Sequence, residues 1–188
     1  MRTRFHKLFW IWQLQKEEAW INEMASHGYG LISVGRITFD FEDIEPDRYG
    51  YKVVFRKGAS NSDSVRNFLK FMEELGIDNV GHVSFPNYTV VYLRYEKSEE
   101  NLELYSDIDS KIEYEKTMCD YLNLVAWLNV FAWVLNMFIF IMSMIHNVGN
   151  FINLLSVINL VIAILCFKSI HTRKKKIKDL KAEREIHE

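Results

Sequence analysis

Between Asp120 and Lys168 the chain has no Asp, Glu, Lys or Arg. That gap excludes an ordinary solvated surface for the stretch, because soluble domains rarely hold uncharged apolar runs of such length. Cysteine is nearly absent: Cys119 and Cys166 stand alone, too few for a disulfide scaffold and without metal-ligand spacing. Both fall on the side expected to be cytoplasmic, so free thiols are expected. His6, His27, His82, His146, His171 and His187 are never three or four apart, which excludes a helical metal pair. No metal and no cofactor is expected. No Gly-x-Ser-x-Gly, no glycine loop fit to cradle phosphate and no histidine near Cys119 in sequence appears, so the chain is expected not to be an enzyme. Residues 8–12 are apolar, but 13–18 interrupt them too soon for a signal peptide. The first long apolar helix is expected to act as its own insertion signal.

What replaces the missing charge is hydrophobic. A bilayer core about 30 Å thick needs roughly 20 mostly apolar helical residues to cross it. Residues 121–145 exceed that, and 151–167 lie at the short end of the range. The polar, Gly-containing residues 146–150 suit a tight extracytoplasmic turn. A two-helix transmembrane hairpin follows, the alternative being a buried hairpin in a soluble core. Lys168, Arg173, Lys174, Lys175, Lys176 and Lys178 flank the second helix, while the turn has no Lys or Arg. Basic flanks stay cytoplasmic, so both termini are expected inside a cell membrane. The tract Arg173, Lys174, Lys175 and Lys176 is a topology signal and a contact for anionic lipid. Asn129 and Asn136, seven apart, share a helix face, and Asn159 on the second helix lies roughly level with Asn136. Their amides serve to hold the hairpin together or to join a homo-oligomer or another membrane protein. With no Asp, Glu, Lys or Arg in the span, no ion path is expected.

The rest of the chain bounds one soluble domain. Residues 1–97 hold 13 basic and 13 acidic side chains, with no electrostatic footprint for nucleic acid. Residues 98–120 hold 2 basic and 8 acidic side chains, and 168–188 hold 8 and 4. The first of these reads as an acidic helical stalk that runs into the first membrane helix or docks a partner. The second is a basic cytoplasmic tail continuing the second helix, with mixed signs suited to i,i+4 pairing. Within 1–97, residues 4–12 suit an aromatic strand. Residues 16–27 suit a helix with Ala19, Trp20, Ile21, Met24 and Ala25 inward and Glu17, Glu18, Asn22 and Glu23 outward. Gly28 stops that helix. Strands are expected at 29–34, 37–42, 49–56, 79–85 and 88–95, and a second helix at 63–75 stopped by Gly76. Placing Met24 on Met72 and Gly28 on Gly76 brings Trp20 over Phe68 and both hairpins into step. The fold class is therefore α+β. Two strand–helix–strand–strand repeats build an antiparallel sheet with helices on one face, followed by the transmembrane hairpin.

Trp10, Trp12, Glu17 and Trp20 form the candidate ligand site, since indole faces beside a carboxylate suit a cationic ligand. The same residues also fit an ordinary aromatic core with a solvated acidic face. The duplicated unit resembles effector-binding modules that hold aromatic, cationic drugs between their halves. The residues Glu17, Glu18, Trp20, Ile21, Asn22, Glu23, Met24 and Ala25, the following Gly28-Tyr29-Gly30-Leu31, and the strands 37–42 and 49–56 resemble a bacterial family designated a domain of unknown function, number 2812. Members of that family are often encoded beside PadR-type transcriptional regulators. The resemblance implies a membrane-bound partner in a regulatory or sensory response, and it brings no catalytic residues. The function expected is a membrane-anchored cytoplasmic module that binds a ligand or protein. The alternative is an accessory subunit of a transporter or envelope complex, assembled through the hairpin.

Overall fold

The computed structural model describes residues 2–97, 108–146 and 153–187. The chain divides into two compact units, Met1–Leu104 and Tyr105–Glu188. The first part of the expected acidic stalk (98–107) and most of the expected turn (147–150) lie outside the described residues.

The first unit is strand-rich. Strand β1 (Arg2–His6) is followed by a 3-10 turn (Ile11–Gln13), helix α1 (Leu14–Ser26), β2 (Tyr29–Val34) and β3 (Thr38–Asp43). Then come β4 (Tyr49–Lys57), α2 (Asp63–Glu74), β5 (Asp78–Phe85) and β6 (Tyr88–Glu96). The strands form two three-stranded antiparallel sheets, ordered β1-β3-β2 and β4-β6-β5. In each the first strand of the repeat pairs with the third and the third with the second, so the duplication read from sequence is present in the topology. The two helices also end alike. Gly28 at φ 87° and Gly76 at φ 75° take the left-handed conformation that L side chains resist. Helix α2 starts at Ser62, whose hydroxyl accepts from the Val65 N–H, an ordinary N-cap.

Alternation fixes which faces are buried. In β3, Phe39 and Phe41 are buried while Asp40 and Glu42 lie on the other face, the pattern of a sheet with one dry side. Strand β6 is central and dry on both faces: Val90, Val91, Tyr92 and Leu93 are all buried. β2 and β5 lie beside each other, where a Cβ on Gly81 would stand 2.9 Å from Val34 Cγ1.

The first strand is shorter than the aromatic pattern predicts, ending at His6 instead of Trp12. Its partner β3 begins at Thr38, opposite His6, so after one further bond, from the Lys7 N–H to the Ile37 carbonyl at 3.0 Å, the chain has no ladder to join. It turns instead: the Gln13 N–H donates to the Trp10 carbonyl at 2.7 Å and Gln13 Oε1 accepts from the Trp10 N–H at 3.2 Å. The facing of α1 also differs from expectation. Glu17, placed outward from sequence, is buried, and Ala19, placed inward, is exposed.

The second unit is two long helices, α3 (Ile108–Ile145) and α4 (Asn153–His187). They run antiparallel: Asp109 pairs with Arg184, Glu115 with Arg173, and the Trp127 ring meets Phe167 at 6.1 Å. Residues 108–120 are therefore one helix with the apolar run. Buried positions recur at alternating steps of three and four residues: Ile112, Glu115, Cys119, Leu122 and Ala126 on α3, and Ala163, Cys166, Ile170, Arg173 and Ile177 (half-buried, like Arg173) on α4. That 3.5-residue period is the seam of a coiled coil. Both cysteines sit on it as free, buried thiols. Outside the seam the apolar faces are bare: Trp127, Phe131 and Phe138 are at least 60% exposed. Both helices are long and apolar enough to span a membrane.

Candidate functional site

Three consecutive roles on α1 build the site. Glu18 and Asn22, one turn apart, address the free edge of β4, the strand that has β6 on its other side. Asn22 Nδ2 donates to the Tyr51 carbonyl at 2.9 Å, and Asn22 Oδ1 accepts from the Tyr51 N–H at 2.9 Å. Two residues on, Glu18 Oε2 accepts from the Val53 N–H at 2.9 Å. Its other oxygen accepts from Lys52 Nζ at 3.0 Å. An unpaired strand edge invites pairing with another chain, and here side chains of a helix close it.

Glu17 points elsewhere. It is 4% exposed, and its Oε1 accepts from the Tyr92 hydroxyl of β6 at 2.6 Å. Among the described residues no Lys, Arg or His pairs with it. Burial pushes its carboxyl above the usual carboxylate range, against the lowering effect of the Tyr92 hydrogen bond. Burial likewise raises the Tyr92 phenol, and the neighbouring Glu17 charge and hydrogen bond raise it further. The raised phenol keeps the proton on Tyr92, while burial disfavours the charged form of Glu17, which has no countercharge among the described residues. The contrast with Glu18 is direct, since that neighbour has both an ammonium and a backbone N–H.

Tyr92 shares its sheet face with Tyr51 and Arg94, because Tyr51 pairs with Arg94 and Val53 with Tyr92 in the ladder. Tyr51 is 1% exposed, and its buried hydroxyl, which lies near the Leu31 backbone, makes no well-formed hydrogen bond among the described residues. Burial pushes its phenol up to about 12, with Arg94 opposing. The hydroxyl reaches β2, where a Cβ on Gly30 would stand 3.3 Å from it and 2.8 Å from Ile44 Cγ2. Glycine at position 30 makes the room that the Tyr51 ring occupies. Arg94 is tied to Asp78 at 2.8 Å and lies over the Tyr49 ring. It also lines an open groove of about 590 Å³ with Arg66, Lys70, Glu73 and Asp78.

The sequence-predicted aromatic residues divide into two groups. Trp20 packs edge-on against Phe39 and Phe41 of β3 and Phe5 of β1, within the first sheet. Its face carries the chain's own cation, Lys7 Nζ, at 4.4 Å from the ring centroid. Trp10 and Trp12 stack on each other at 5.1 Å with planes 4° apart. Glu17 therefore meets a tyrosine at its hydrogen bond, not one of the three indoles.

In the second unit the predicted residues also take separate parts. Asn129 Nδ2 donates to the Val125 carbonyl of its own helix at 2.8 Å. Asn136 and Asn159 are half-buried, and among the described residues neither makes a hydrogen bond. Of the basic tract, Arg173 Nη1 and Lys176 Nζ each donate to Glu115 at 2.6 Å, while Lys174 and Lys175 are exposed.

Tyr92, Tyr51 and Glu115 were not singled out from sequence. A signal for Glu17 was present in the repeat itself: the alignment that sets Met24 on Met72 sets Glu17 on Val65, which is 1% exposed. An acid at a position where the other copy keeps valine is a buried acid. Tyr92 has no such mark, because its partner is far off in sequence. Among the described residues no group of three or more His, Cys, Asp or Glu could hold a metal ion.

No curated protein and no solved structure matches the chain. One family profile does, from the start of α1 to within α3 and without β1, so it takes in Glu17, Tyr92 and Glu115 together. Over residues 13–128 the chain matches, and belongs to, the family described as a protein of unknown function (DUF2812).

Proposed function

We propose that the chain is a membrane-anchored module whose first unit, on the cytoplasmic side, binds an organic cation through Glu17 and acts by binding, not by catalysis. The observation that supports it is the Glu17 carboxyl group, buried with a tyrosine hydroxyl and no countercharge among the described residues. Burying a charge without its partner is costly, and acids raised by burial in this way cluster at functional sites. The tyrosines beside it supply apolar surface with polar tips, so the ligand class is an aromatic or amphipathic cation. The resemblance to a family encoded beside PadR-type regulators favours a regulatory or sensory role in a bacterial envelope. A charge-reversed pair of probes tests the reading on the detergent-solubilised full chain. Tetraphenylphosphonium should bind saturably, while tetraphenylborate, of the same shape and opposite charge, should not. Equal binding of both would mean simple partition into apolar surface.

A second reading rests on a different observation. Asn136 and Asn159 lie within the apolar run, half-buried and without hydrogen bonds among the described residues. Amides in hydrocarbon seek partners, so the hairpin also suits an accessory subunit docked through these residues, or a homo-oligomer. Changing both to Leu should then abolish co-purification of an assembly in mild detergent. An unchanged assembly removes that reading.

A further inference from the structure

Four consecutive basic residues follow the second apolar helix, and the fold uses them in two different ways. Helix α4 continues without a break from the apolar run to His187, so each side chain has a fixed angular position. Arg173 and Lys176 point at α3 and share the two oxygens of Glu115. Lys174 and Lys175, at 100° per residue, point away from α3 and are exposed. Lys168, seven residues before Lys175, lies on the same side and is exposed as well. Among the described residues none of these three lysines has an acidic partner.

We propose that Lys168, Lys174 and Lys175 form a contact site for anionic lipid headgroups, and that Arg173 and Lys176 take no part in it. The inference rests on the membrane-anchored reading. Lys168 directly follows Phe167, the last residue of the apolar run. At about 1.5 Å per residue, Lys174 and Lys175 stand roughly 10–12 Å further along the helix than Phe167. The polar zone of a bilayer leaflet is about 5–7 Å deep, and a lysine side chain bridges the remainder. Lys178 and Lys181 stand higher by another one to two turns, beyond the roughly 8 Å over which salt leaves surface charge felt. Glu115 thus sorts the tract: the two cations it holds are already paired, and the lysines it leaves out meet phosphate. Each free lysine near an anionic surface strengthens attraction about fivefold.

The test uses the full chain in vesicles of phosphatidylcholine with one-fifth phosphatidylglycerol, and spin-labelled lipids that report which headgroup lies against the protein. The wild-type chain should prefer labelled phosphatidylglycerol over phosphatidylcholine. In K174Q/K175Q the preference should fall at least tenfold or vanish, whereas in R173Q it should stay within twofold. Inorganic phosphate at 10 mM should not reduce the preference, which identifies the headgroup rather than free anion. A wild-type chain that stays in the bilayer with no preference, or an R173Q loss as large as that of K174Q/K175Q, overturns the proposal. A chain that alkaline carbonate strips from the vesicles overturns the membrane reading beneath it.

Discussion

The Tyr92 hydroxyl reaches across 75 residues of sequence to donate to Glu17 Oε1 at 2.6 Å. It joins the central strand of the second sheet to the helix of the first repeat, and it reaches an acid that has no countercharge among the described residues.

That arrangement sets the pH dependence of stability. Burial raises the Glu17 carboxyl above its ordinary value near 4.5, so the folded state favours the protonated acid. Stability from this group is fully present below the ordinary value and is lost as pH rises through the raised one. Glu17→Gln should flatten that slope and raise stability at pH 7 by roughly 1 kcal/mol. Tyr92→Phe, which leaves the carboxylate without a donor, should lower it by about 1–3 kcal/mol. Urea unfolding followed by tryptophan fluorescence from pH 4 to 8 checks both. A steeper pH slope in Glu17→Gln than in the wild type would contradict the assignment.

The edge of β4 is closed by side chains, so its exposure should be visible. Asn22→Leu leaves the Tyr51 N–H and carbonyl without partners and should cost about 2 kcal/mol. It should also promote self-association through the opened strand. Light scattering of the variant against the wild type at equal concentration measures the second effect, which mere loss of a contact would not produce.

Glu115 is 2% exposed between two cations, and its removal leaves Arg173, whose side chain is 12% exposed, buried and unpaired. Glu115→Leu should destabilise the helix pair by about 3 kcal/mol. Adding Arg173→Met should restore most of the loss, since well-packed apolar replacement of a buried pair is often neutral. Lys176→Gln, with its side chain half exposed, should cost less than about 1 kcal/mol. Thermal unfolding in detergent, followed by helical circular dichroism, orders the three.

How far the sequence carried the fold depends on the range of the forces involved. Strand β2, the helix stops at Gly28 and Gly76, and the repeat were legible because each rests on local pattern. The missing charge from 121 to 167 marked the apolar helices for the same reason. The end of β1 was not legible, since it depends on where β3 begins. Nor was the facing of α1, where three of the four residues assigned to solvent are engaged: Glu17 with Tyr92, Glu18 with Lys52 and Val53, Asn22 with Tyr51. A polar helix face reads as wet until a strand edge is known to lie against it. Glu17 was named as a ligand residue from its neighbours Trp10, Trp12 and Trp20, but the side chain it meets is Tyr92, which no spacing rule connects to it. Sequence reads the acidic and basic segments as a stalk and a tail, whereas Asp109 with Arg184 and Glu115 with Arg173 join residues 108–120 to the basic segment in one seam.

Membrane orientation has its own check. In the full chain, His146→Cys should react with a membrane-impermeant maleimide on intact cells, and Lys175→Cys only after the membrane is opened. The reverse pattern would place both termini outside.

The central claim is that Glu17 holds an organic cation, and titration calorimetry of tetraphenylphosphonium into the detergent-solubilised full chain tests it most directly. The wild type should bind more tightly at pH 8 than at pH 5, as Glu17 loses its proton through its raised range. Glu17→Gln should bind at least tenfold more weakly at pH 8 and lose the pH dependence. Binding by Glu17→Gln equal to that of the wild type at both pH values would contradict the account.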